Sequence, residues 1–112
     1  MKANETKCPA EFTLALIGGR WKIPIIFHLL AGRQRFSELS RSLKGVTQKM
    51  LTQQLREMER NGLVERKIYA QVPPKVEYSL TALGASLRPV VEAMCQWGEI
   101  HAVKDKPREA SV

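Results

Sequence analysis

A chain of 112 residues has the length of one domain, enough for a single core and too short for a catalytic domain with a separate regulatory one. Apolar residues make up 44% and charged residues 26%, the balance of a folded globular protein, which argues against disorder. Of the formal charge of +7, residues 33–67 carry the largest share, with nine basic and four acidic side chains, a local excess suited to a polyanionic partner.

Pro9 can open a first helix in which Phe12, Leu14, Leu16 and Ile17 supply apolar surface, and Gly18-Gly19 stops it. A second helix is expected from Trp21 to Ala31, with Pro24 in its first turn, Ile23, Ile26, Phe27 and Leu30 as core stripe, and Gly32 as C-cap. Ser37 is the expected N-cap of a third, short helix ending near Gly45, with Phe36, Leu39 and Leu43 on one side. Thr47 then caps a fourth helix that runs to Arg60 and closes on Asn61-Gly62. Two helices across a glycine-containing turn, over about residues 36–61, form a helix-turn-helix candidate. From Leu63 the apolar period changes to two, through Val64, Ile68 and Val72 and again through Val76, Tyr78 and Leu80, which predicts a hairpin over about 63–80 bending near Pro73-Pro74. Thr81 caps a long terminal helix, about 81–103, bent at Pro89, with Leu83, Leu87, Val90, Val91, Met94 and Trp97 at helical spacing. That stripe is longer than so small a domain needs. The tail after Val103 reads as loosely ordered.

No apolar run reaches the ~18 residues of a membrane span, and Met1 to Lys7 are polar where a secretory leader would be apolar, so the expectation is a cytoplasmic protein without a membrane partner. Cys8 and Cys95 are expected to be free thiols, Cys95 as packing on the terminal helix.

The fourth helix carries the chemistry. At 100° per residue Leu51, Leu55 and Met58 define its buried side, leaving Lys49, Gln53, Arg56 and Arg60 opposite and Thr52 at the margin. Glutamine can bond adenine at two atoms, lysine reaches guanine acceptors, threonine touches a thymine methyl, and arginine neutralises phosphate. Gln48, Lys49, Thr52 and Gln53 are therefore expected at base edges, with Thr47 and Arg56 nearer the backbone. Lys67, Tyr69, Gln71 and Lys75 near the hairpin tip offer a second contact to phosphate or the minor groove, and Arg35 and Ser37, at the entry to the third helix, complete the candidate set. Entry into successive major grooves requires two such helices roughly 34 Å apart, hence two chains. The spare stripe of Leu83, Leu87, Val90, Val91, Met94 and Trp97, with Phe12 and Leu16 from the first helix, is the expected joint of a homodimer.

The order of motifs is specific in combination: Cys8-Pro9; Ile17-Gly18-Gly19-Arg20-Trp21-Lys22; Arg35-Phe36-Ser37-Glu38-Leu39; Met50-Leu51-Thr52 with Leu55-Arg56-Glu57-Met58-Glu59; Asn61-Gly62-Leu63-Val64; Pro73-Pro74-Lys75-Val76-Glu77-Tyr78; Leu80-Thr81; and Trp97-Gly98. From Cys8 to His101 the chain resembles the HxlR-type regulators, a branch of the MarR-like winged helices. The resemblance implies a mainly α fold with a small β-hairpin (α+β), one winged helix-turn-helix domain over residues 1–112 with its core at about 8–101, and a homodimer joined through its terminal helices. It further implies binding of a pseudo-palindromic operator in double-stranded DNA.

Cys8, next to Lys7 and at the N-terminal end of a helix, sits where a thiolate is favoured. In the family it resembles, this cysteine serves several members as a sensor, which implies a small electrophile or oxidant as signal; an inert, partly buried cysteine is the alternative reading. A metal-responsive repressor using Cys8, Cys95, His28 and His101 is the first rival, disfavoured because no close ligand pair such as CxxC occurs. An enzyme is disfavoured by the absence of a phosphate loop or nucleophile motif and by Glu57 and Glu59 pointing to different sides of their helix. No cofactor is expected. A ligand-responsive repressor and a winged helix that docks protein or RNA complete the alternatives.

Overall fold

The computed structural model describes residues 8–102; the expectations for Met1 to Lys7 and for the tail from Val103 lie outside them. The elements are α1 (Pro9–Ile17), α2 (Lys22–Leu29), β1 (Gln34–Arg35), α3 (Phe36–Ser42), α4 (Gln48–Arg60), β2 (Val64–Tyr69), β3 (Lys75–Leu80), α5 (Ala82–Ala85) and α6 (Arg88–His101). The fold is a winged helix: the hairpin β2–β3 gains β1 as a third antiparallel strand, in the order β1-β3-β2.

Three sequence expectations need correction. The two-residue strand β1 pairs Gln34 with Tyr78 and Arg35 with Glu77, and because the chain leaves it extended, α3 begins at Phe36. Arg35 is its N-cap, and the Glu38 carboxylate accepts the Arg35 backbone N–H at 2.8 Å; Ser37 lies in the first turn. The terminal helix is two helices. Pro89 sits in the first turn of α6, and its ring would collide with the carbonyl of Ala85, the last residue of α5, were the two continuous. In α2 the core side is Ile25, Ile26 and Leu29, all buried, whereas Phe27 is half exposed and Ile23 and Leu30 only partly covered.

The core joins these side chains to Ile17, Leu39, Leu43, Leu51, Leu55, Met58, Leu63, Val64, Tyr78 and Val91. The expected alternation along the hairpin holds at its base, where Val64 and Tyr78 are buried, and fails at the tip, where Ile68 and Val72 face solvent. Two caps hold α4 in place. Thr47 Oγ1 accepts the Met50 N–H at 3.0 Å. At the other end Gly62, at φ 76°, directs its N–H to the Glu59 carbonyl while the Leu63 N–H reaches that of Met58, a Schellman closure that turns the chain straight into β2.

Candidate nucleic-acid interface

Leu51, Leu55 and Met58 are completely covered, which fixes the rotation of α4 and turns Gln48, Lys49, Gln53, Arg56 and Arg60 outward; Thr52 is partly exposed. No described element covers this side. These side chains and Glu57 line a shallow open concavity along the helix. Thr47, Arg35 and Ser37 are exposed nearby in the chain, at the starts of α4 and α3.

At the edge of this face lies a contact that the sequence reading missed. Lys22, the first residue of α2, is buried, and its Nζ donates to Glu57 Oε1 at 2.7 Å and to Gln54 Oε1 at 2.9 Å. The hydrogen bond from Lys22, reinforced by its charge and by that of Arg60, holds the Glu57 carboxyl below the usual carboxylate range despite partial desolvation. A signal for it existed: Lys22 is the single lysine or arginine in the otherwise largely apolar segment from Trp21 to Leu30. Glu59 points the other way and meets Arg66 of β2 at 3.7 Å, so the two glutamates diverge as expected.

On the wing, the Lys67 and Lys75 ammonium groups lie 5.1 and 4.4 Å from the Tyr69 ring centre. The Tyr69 hydroxyl donates to Glu77 Oε1 at 2.9 Å, and Glu77 also faces Arg33 and Lys75, each at 3.8 Å. Tyr69 thus organises two cations with its hydroxyl already engaged, whereas Lys67 and Gln71 are exposed. Arg33, more than half exposed, joins the basic surface and was not foreseen. Burial raises the Tyr78 hydroxyl above its ordinary value, opposed by the charges of Arg66 and Arg56 and abetted by Glu59.

Among the residues expected at a dimer joint, Phe12, Leu83, Met94 and Trp97 are each more than half exposed, and Leu16, Leu87 and Val90 partly so. Val91 is the exception and a correction: fully buried in the chain's own core, it has no surface to offer. Cys8 is exposed at the N-cap of α1. Cys95, expected to be packed, is also exposed and lines a cleft of about 410 Å³ between α2 and α6. Among the described residues no group of three or more His, Cys, Asp or Glu could hold a metal ion, and no helix is long and apolar enough to cross a membrane.

With a helix-turn-helix and a wing placed in this way, comparison with known proteins is decisive: the HxlR-like helix-turn-helix family matches residues 16–106. The chain belongs to that family. Among its relatives is the HTH-type transcriptional regulator YybR of Bacillus subtilis strain 168, 53% identical over 96 residues, 86% of this chain and 77% of the relative. The redox regulator HypR in its oxidized form superposes with a TM-score of 0.82 at 52% identity, covering 86% of this chain and 99% of that one. The reduced form of the transcriptional regulator YodB from B. subtilis superposes at 0.73 and 37% identity, covering 86% and 95%. The protein is accordingly a helix-turn-helix transcription regulator.

Proposed function

We propose that the protein is a homodimer that recognises a pseudo-palindromic operator by inserting α4 of each subunit into the major groove, with the wing on the flanking backbone. The observation that carries this reading is the outward side of α4. Gln48, Lys49, Thr52, Gln53 and Arg56 form an uncovered polar and cationic face on a helix whose opposite side is anchored in the core. Gln48, Lys49, Thr52 and Gln53, in the N-terminal half, are the base readers; Thr47, Arg56, Arg35, Ser37, Lys67, Gln71 and Lys75 hold phosphates, and Tyr69 sets the two wing lysines. Subunits join through the exposed apolar surfaces of α1, α5 and α6, contributed by Phe12, Leu16, Leu83, Leu87, Val90, Met94 and Trp97. Cys8 is the proposed sensing thiol for an oxidant or electrophile, a role supported by its exposure and by the similarity to HypR and YodB. A cytoplasmic location follows from a partner that is chromosomal DNA.

The test is selection of duplexes from a randomised library, followed by titration of the selected and a scrambled duplex at several salt concentrations. A regulator of this kind prefers the selected duplex by about 10³-fold or more, with log K falling linearly in log salt. Equal affinity for both would sink the claim of sequence reading.

A further inference from the structure

The Lys22–Glu57 pair lies at the edge of the outward side of α4, where Glu57 lines the concavity and Lys22 comes from α2, outside the helix-turn-helix. Lys22 opens α2, where the positive end of the helix dipole disfavours a cation, and it is buried. Its stabilising partners are therefore on α4: Glu57 Oε1 at 2.7 Å and Gln54 Oε1 at 2.9 Å. Glu57 remains partly exposed, with 39% of its side chain accessible, and among the residues lining the concavity along α4 it is the sole acidic one. A bare carboxylate there would repel phosphate across a short distance and offset one of the surrounding cations.

We infer that Lys22 is a positioning residue for DNA binding: its buried ammonium draws the Glu57 carboxylate back against α2 and cancels its charge, so that a phosphate approaching α4 meets only net positive potential. The inference rests on the proposed DNA reading and extends it to a residue outside the helix-turn-helix. It separates Glu57 from Glu59, whose partner Arg66 lies on the wing side of the same helix.

The experiment measures salt-dependent binding of wild type, Lys22→Met, Glu57→Gln, Lys22→Met with Glu57→Gln, and Glu59→Gln, on the selected and scrambled duplexes, with folding checked by circular dichroism and melting. Lys22→Met leaves Glu57 uncompensated, so it weakens both duplexes about tenfold and lowers the salt slope by about 0.9. Adding Glu57→Gln restores most of both losses, although it restores no ion pair. Glu57→Gln alone tightens binding a few-fold and steepens the slope, and it remains informative should Lys22→Met fail to fold. Three results overturn the inference: no rescue in the double variant, weaker binding by Glu57→Gln, or an equal gain from Glu59→Gln, which would make net charge the whole explanation. If wild type binds neither duplex, the DNA reading itself falls and takes this inference with it.

Discussion

At Gly84 an added methyl group would run into the Leu63 carbonyl, because α5 passes directly over the chain at the start of β2. The obstacle is backbone, which already accepts the Thr81 N–H at 3.0 Å and has little freedom to retreat. Gly84→Ala is therefore expected to destabilise the fold by about 1–3 kcal/mol, measured as a lowered denaturant midpoint at unchanged slope. Glu57 gives a residue-scale prediction of another kind. Its carboxyl titrates lower in the folded chain than in the unfolded one, so the stability it contributes is complete above the unfolded value near 4.5 and is lost as pH falls through the folded value. Glu57→Gln removes that component, and its acid-unfolding curve should be flatter below about pH 5 than that of wild type. An unchanged acid limb would mean that the bond to Lys22 does not persist in solution.

Elements differ in how openly the sequence declares them. In α4, Leu51, Leu55 and Met58 recur against a background of charged and amide side chains, so the buried side, the exposed side and both caps are legible. α2 is apolar almost throughout, and a uniform stretch has no phase: its sequence does not distinguish exposed Phe27 from buried Ile25 and Leu29, because contact with α6 and the sheet, not periodicity, selects the buried side. β1 has two residues and so no period at all; it exists because β3 offers it a free edge. The same blindness to tertiary contact hid the Lys22 bond, which joins residues 35 apart in sequence. Within α4 the expected roles separate by position. Gln53→Ala should narrow the gap between selected and scrambled duplexes, whereas Arg56→Ala should weaken both alike, as read by titration of the two duplexes; equal losses on both from Gln53→Ala would remove it from base reading.

For the whole molecule, Leu14 of α1 and Met94 of α6 border one groove and, like Trp97, are exposed, apolar surface that the proposed dimer would cover. Met94→Glu with Trp97→Glu should convert a dimer to a monomer in light-scattering chromatography and abolish tight binding to a two-half-site duplex while leaving the circular dichroism spectrum intact. Cys8→Ser should leave DNA binding unchanged and remove any loss of binding caused by diamide; a response retained in the variant assigns the signal elsewhere. Finally, the Schellman closure at Gly62 joins α4 to β2 through three residues, and Glu59 and Arg66, 3.7 Å apart, pair across that junction. In the proposed complex, α4 and the wing would act as the jaws of a caliper set to one gap. If α4 and the wing bind DNA as proposed, a mismatch in groove width falls on the double helix, and the expected outcome is discrimination at base steps that no side chain touches, through their ease of bending.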